Sequence, residues 1–239
     1  MSVLVVSGTD TGVGKTVVTA ALATLAASRG SSVACVKPSQ TGVAGHQPGD
    51  LDEVARLSGV RDLHEHTRFP DPLSPAAAAR RAGTAACDLH QVAGRIRELA
   101  GDRRLVLVEG AGGLLVRYDG DGTTIADLAR LLDSPVLVVA RAALGTLNHT
   151  ALTLEALAHR GVPLAGVVVG AWPRRPDLAA RCNIRDLETL AARPLAGALP
   201  ERAAGLRPAE FLAAARAGLG HHLGGSFDAA DFRHEWGVP

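Results

Sequence analysis

Val3-Leu4-Val5-Val6 leads into Gly8-Thr9-Asp10-Thr11-Gly12-Val13-Gly14-Lys15-Thr16, and an Ala/Leu/Val helical pattern follows to Ser28. An apolar strand, a glycine-rich loop, Gly-Lys-Thr and a helix, in that order, make a phosphate-binding loop. Glycines let backbone N–H groups turn onto phosphate oxygens, and the helix N-terminus adds positive potential. The lysine reaches the terminal phosphates, so the loop calls for a nucleoside triphosphate with Mg2+. In the usual spacing the first glycine would fall at Thr9. Here it is Gly8, one residue earlier, so the loop is a variant.

Further apolar runs occur at Val33 to Val36, Leu105 to Val108, Val136 to Val139 and Leu164 to Val169, with a weaker one at Leu195 to Leu199. Continuous apolar runs fit strands covered on both faces. Helical patterns lie between them, at Lys15 to Ser28, Leu89 to Leu99, Thr146 to His159 and Leu178 to Ala191. Alternation of this kind predicts an α/β fold: a mostly parallel β-sheet with helices on both faces, P-loop NTPase-like. The Pro-, Gly- and His-rich stretch from Thr41 to Ala86 interrupts the alternation. It reads as an insertion with helices near Leu51 to Leu57 and Pro75 to Ala82. After Pro208 the chain reads as closing helices, giving one domain over residues 1–239.

With 239 residues and 47% apolar composition, the chain can bury a sizeable core. A net charge of +1 and 3% aromatic residues offer neither a basic field nor stacking rings for nucleic acid. Cys35, Cys87 and Cys182 have no paired spacing, which fits a reducing compartment and no zinc site. The pairs His64/His66 and His221/His222 lack metal-ligand spacing and read as solvated loop residues. Val3 to Val6 is too short for a signal sequence or a membrane span, so a cytoplasmic protein with no membrane partner is expected.

Ligands of parallel sheets bind at the carboxyl ends of the strands. Lys37-Pro38-Ser39-Gln40-Thr41-Gly42 follows the second run. A lysine there is ordinarily a solvated charge, but beside a triphosphate it offsets repulsion between a γ-phosphate and an anionic acceptor. Glu109-Gly110-Ala111-Gly112-Gly113 follows the third run. There an acid stands where P-loop enzymes hold Mg2+, and the glycines clear space for a ligand. Thr16, Glu109 and one of Asp50, Asp52 or Glu53 would supply hard oxygen donors, although any of the last three could cap a helix instead. The segment Arg141 to His149 reads as a helix start capped by Thr146.

Taken in order, these motifs resemble the dethiobiotin synthetases. The resemblance runs from Val3 to about Arg202 and includes Ser74-Pro75, Leu144-Gly-Thr-Leu-Asn148-His149 and the Leu199-Pro200 turn. It implies a homodimer that takes 7,8-diaminopelargonic acid, CO2 (or bicarbonate) and MgATP to dethiobiotin, ADP and phosphate. One amine becomes a carbamate, the γ-phosphoryl group is transferred to it, and the second amine closes the ring. By the resemblance, Gly12, Val13, Gly14, Lys15, Thr16 and Val17 hold phosphates, and Lys37 is catalytic together with Lys15. Thr16, Asp50 and Glu109 hold Mg2+. Gly110, Ala111, Gly112, Gly170, Ala171, Pro200, Glu201 and Arg202 contact the nucleotide. Thr41, Pro75, Gly112, Gly113, Leu144 and Asn148 contact the diamine, partly from the neighbouring subunit.

One departure concerns the base. The fifth strand ends Val169-Gly170-Ala171-Trp172-Pro173, where some members present Asn-Asp, so no amide is available there to read a purine edge and other nucleoside triphosphates become possible co-substrates. The main alternative is a partition-type ATPase switch. Its loop needs a lysine where Asp10 stands, and a carboxylate cannot serve there. A cobyrinate-type amidotransferase ligase would need a glutaminase domain with a nucleophilic cysteine, which the surroundings of the three cysteines do not supply.

Overall fold

Alternation along the strands sets the layers. Val3 and Val5 join one core with Val106, Val108, Val136 and Val138, whereas Leu4 and Val6 join another with Leu107, Leu137 and Val139. Side chains of successive strand residues point to opposite faces, so each apolar run seals both sides of the sheet. The computed structural model describes residues 3–238. Its strands are β1 (Val3–Gly8), β2 (Val33–Thr41), β3 (Leu63–Phe69), β4 (Leu105–Gly113), β5 (Val136–Ala140), β6 (Leu164–Trp172) and β7 (Gly197–Pro200). All neighbouring pairs are parallel, in the order β3-β2-β4-β1-β5-β6-β7.

Helices α1 (Lys15–Ala27), α2 (Asp50–Ser58) and α8 (Pro208–Gly218) pack together over the Leu4 face. The other face carries α4 (Leu89–Asp102), α5 (Ile125–Leu131), α6 (Thr146–His159), α7 (Leu178–Ala191) and α9 (Ala229–Trp236). Helix α3 (Pro75–Ala82) starts with proline at its first position and packs against β2 and β3. Among the described residues no helix is long and apolar enough to cross a membrane.

Three expectations are corrected, and one helix is added. The stretch after Thr41 is more than an insertion with two helices, because Leu63–Phe69 forms the edge strand β3, paired only with β2. An edge strand needs no continuous apolar run, so Leu-His-Glu-His-Thr-Arg-Phe gives no periodic signal. His64 and His66 therefore lie on a strand, and His64 sits 2.7 Å from Asp62. Helix α5 follows a reciprocal cap in which Asp127 accepts from the Thr124 amide at 2.9 Å, and seven residues give too little periodicity to read. The start of α6 is capped by Gly145 at φ 91°, and Thr146 is its first helical residue.

The C-terminal segment docks on the chain's own body. Phe232 meets Trp172 edge-on with ring centroids 4.9 Å apart, Trp236 lies 6.2 Å away, and the Arg181 guanidinium donates to the Trp236 carbonyl at 3.0 Å. Trp172 ends β6, so this aromatic cluster ties α9 to the sheet edge that faces ligands. Trp172→Ala is expected to lower unfolding stability by about 3–5 kcal/mol and to expose the segment after Phe227 to proteolysis. Urea titration and limited digestion check this, and a stability change below about 1 kcal/mol would contradict it.

Candidate active site

The loop between β1 and α1 is shaped by glycines at two places. Gly14 caps α1 at φ 98°, a left-handed conformation that other residues adopt only with strain. It also lies so close to β6 that a Cβ would sit 2.9 Å from the Gly170 carbonyl oxygen. A Cβ on Gly170 would in turn meet the Val13 carbonyl, so the phosphate loop rests backbone to backbone on the end of β6. Lys15 is 8% exposed and its ammonium donates to the Asp10 carbonyl at 2.9 Å. The Asp10 carboxylate faces Arg141 at 2.9 Å and accepts from the Thr11 amide at 2.7 Å. That pair is half exposed and worth under about 1 kcal/mol, but it braces the outer wall of the loop.

Lys37 and Glu109 do not follow their strands. They lie inside β2 and β4, which continue beyond the apolar runs to Thr41 and Gly113. Both are buried, at 2% and 0% exposure, so Lys37 is no solvated surface charge. Its ammonium stands 2.5 Å from Asp50 Oδ2 and 2.8 Å from Glu109 Oε1, and donates to the Gly110 carbonyl at 3.2 Å. The Thr16 hydroxyl donates to Glu109 Oε1 at 2.9 Å. At the start of α2 the three candidate acids have distinct jobs. Asp52 accepts from the Gly49 amide at 2.7 Å, Glu53 pairs with Arg56, and Asp50 faces Lys37.

Lys15, Thr16, Lys37, Asp50 and Glu109 line one cleft of about 720 Å3 with Thr11, Gly12, Gly14, Thr41, Pro75, Ala111 and Gly112. Val13 is buried in the core and Val17 packs beside it. The glycines after Glu109 mostly serve packing: a Cβ on Gly110 would press on Ile125 at 3.2 Å. One on Gly112, at φ 66°, would meet Val116 at 2.8 Å. Gly113 packs against the Gly8–Thr9 backbone and lines a smaller cleft with Leu115, His149 and Leu152. Leu144 and Asn148 are exposed and do not line the main cleft within one chain. Gly170, Ala171, Pro200, Glu201 and Arg202 gather at the ends of β6 and β7, where the Glu201 amide donates to the Trp172 carbonyl at 2.8 Å. Beside them Pro173, Arg174, Arg175 and Glu201 line a cleft of about 450 Å3.

Sequence alone does not single out Gln40, Tyr118 or Arg141. Gln40 accepts from the Asp50 amide at 2.9 Å, and the buried Tyr118 hydroxyl accepts from the Ala111 amide at 2.7 Å. Tyr118 is the chain's one tyrosine, which was the available signal.

The two lysines differ electrostatically. Burial alone would push the Lys37 pKa down, but Glu109 and Asp50 carry it above the usual lysine range. Burial disfavours the charged form of Asp50 too, yet Lys37 holds that carboxyl below its ordinary value. Lys15 has no carboxylate against its ammonium, and burial, aided by repulsion from Lys37, lowers its pKa to about 8. Burial also raises the thiols of Cys35 and Cys87, to about 12 and about 11, so both stay protonated and inert. For a divalent ion, the Thr16 hydroxyl and the Asp50 and Glu109 carboxylates offer hard oxygens around one point. Glu109 Oε2 is buried without a partner, a free acceptor that such an ion would satisfy.

A phosphate loop on the inner strand of an all-parallel sheet, with a second lysine and two carboxylates at the same rim, defines a P-loop NTPase-like protein. Solved structures agree on the fold: the septum site-determining protein MinD of Pyrococcus horikoshii OT3, complexed with Mg-ADP, aligns with TM-score 0.58 at 17% identity, covering 90% of this chain and 92% of its own. A family described as an AAA domain matches residues 2–208. The ATP-dependent dethiobiotin synthetase of Parafrankia sp. (strain EAN1pec) is 64% identical over 238 residues, covering 100% of both chains. That of Streptomyces avermitilis is 55% identical, covering 97% of this chain and 98% of its own. The chain belongs to the ATP-dependent dethiobiotin synthetase family.

The Lys15 shift has a sign that can be measured. Its folded pKa of about 8 lies below the ordinary 10.5, so between those values the unfolded chain binds more protons and this group's contribution to stability rises with pH. Phosphates favour the ammonium, so nucleotide binding above pH 8 takes up a proton and weakens as pH rises. Calorimetry of ADP binding at pH 8.5, in buffers of different ionisation enthalpy, is expected to show uptake of roughly half a proton or more. Heats independent of the buffer would contradict it.

Proposed function

We propose that the chain is an ATP-dependent cyclo-ligase that converts 7,8-diaminopelargonic acid, CO2 and MgATP into dethiobiotin, ADP and phosphate. The observation that carries this reading is the convergence of Lys37, Asp50 and Glu109 on the cleft that also holds Lys15 and Thr16. Membership of the dethiobiotin synthetase family supports it. A carbamate oxygen attacks the γ-phosphorus as the bond to ADP breaks. The second amine then attacks the carbamoyl carbon, and phosphate leaves as the ring closes. The diamine brings its own nucleophiles, so the protein supplies position and charge rather than a covalent intermediate.

In this reading the loop from Gly12 to Val17 cradles the phosphates, Lys15 reaches their terminal oxygens, and Lys37 stabilises charge on the carbamate and the transferring group. Thr16, Asp50 and Glu109 would hold Mg2+, which would supply positive charge against the phosphates. Thr41, Pro75 and Gly112 hold the diamine. Leu144, Asn148 and Gly113 belong to a wall completed by a second copy, because Leu144 is exposed and exposed Leu115 and Leu152 add apolar surface at the smaller cleft. The chain works as one domain, a homodimer in the cytoplasm, without nucleic-acid or membrane partners.

Phosphate release with MgATP and bicarbonate tests this reading. Release is expected to depend on the diamine and to fall about 10²- to 10³-fold in Lys37→Ala, while ADP still binds. Diamine-independent release, or full turnover in the variant, would overturn it. For base choice, the end of β6 offers no amide, and the adjoining cleft is lined by Arg174, Arg175 and Glu201. Turnover with ATP, CTP and GTP at equal concentration is expected to agree within about tenfold, and an ATP preference on the order of a hundredfold would contradict that.

A further inference from the structure

The loop that delivers Asp50 to the cleft has little packing of its own. Residues Ala44 to Pro48 are exposed, and the cap of α2 is Gly49, which has no side chain to bond the helix amides. Two side chains tie the loop down. On the outside, Arg68 donates to the Gln47 carbonyl at 2.6 Å and is itself paired with Glu65. On the inside stands Gln40, 4% exposed, next in sequence to Thr41.

Both polar atoms of Gln40 are used. Oε1 accepts from the Asp50 amide at 2.9 Å, and Nε2 donates to the Thr41 carbonyl at 3.1 Å. Gly49 lies against it so closely that a Cβ would stand 3.0 Å from Oε1. A buried acceptor on a rigid strand thus fixes the peptide of Asp50, whose carboxylate is held 2.5 Å from Lys37. The Gly49 amide next to it has a separate partner, Asp52 at 2.7 Å. Helix capping and the aiming of Asp50 are therefore divided between two residues.

We propose that Gln40 is a positioning residue for the divalent-cation site, acting through Asp50. The inference rests on the reading of Asp50 as a metal ligand. Groups that orient ligating carboxylates influence metal affinity without touching the ion.

The test is Mn2+ binding to the full chain in complex with ADP, followed by electron paramagnetic resonance. Gln40→Met keeps the volume and removes the acceptor, and about tenfold weaker Mn2+ binding is expected. Gln40→Glu keeps an oxygen that can accept from the Asp50 amide and is expected to retain tight binding. Asp52→Ala removes the cap, and its melting temperature should fall while Mn2+ affinity holds. Unchanged affinity in Gln40→Met, or equal weakening in Gln40→Glu or Asp52→Ala, would overturn the role of Gln40. Unchanged affinity in Asp50→Asn would instead remove Asp50 as a ligand, and with it the basis of the proposal.

Discussion

A buried ammonium between two carboxylates is the constraint on which the site depends. Lys37 cannot be charged inside the sheet without partners, because the desolvation of an isolated ion costs far more than a domain's net stability. Its partners come from two places in the chain. Glu109 arrives because β2 and β4 pair in the register Val36↔Val108, and Asp50 arrives because the loop after β2 folds back to start α2. Removing Lys37 leaves the buried Glu109 carboxylate beside Asp50 with no counter-charge, so the three positions are coupled more tightly than their distance in sequence suggests.

Around that triad the protein keeps two lysines in different states. Lys37 is held charged by its carboxylates, whereas Lys15 bonds only a backbone carbonyl and loses its proton more readily. A triphosphate entering the cleft would supply the missing counter-charge for Lys15. The Asp50 and Glu109 carboxylates that hold Lys37 are also the ones that would hold a divalent ion, which would supply positive charge to the phosphates. Phosphoryl transfer is mostly a matter of position and charge, and this arrangement makes each cation's placement depend on the ligand that needs it.

Much of this was legible in the sequence, because the signals were local. The phosphate loop is contiguous, α3, α6 and α7 have the predicted bounds, and the apolar runs mark the six strands covered on both faces. What sequence left open depends on contacts between distant segments. Edge strand β3 lacks a periodic apolar face, and Lys37 and Glu109 read as following their strands because polar residues end the apolar pattern before pairing ends. The choice among Asp50, Asp52 and Glu53 needed the direction of the first turn of α2. Gln40 and Tyr118 act through single hydrogen bonds to backbone amides, which no composition or spacing rule announces.

If Asp50 and Glu109 form the divalent-cation site, the Lys37 ammonium between them occupies the position the ion would take. Mn2+ affinity of the nucleotide-free protein, compared between wild type and Lys37→Met, tests this most directly. With the competing charge removed and the stem volume kept, binding is predicted to tighten by roughly tenfold or more. Equal or weaker binding in the variant would show that ammonium and metal do not share those oxygens, and would contradict the account.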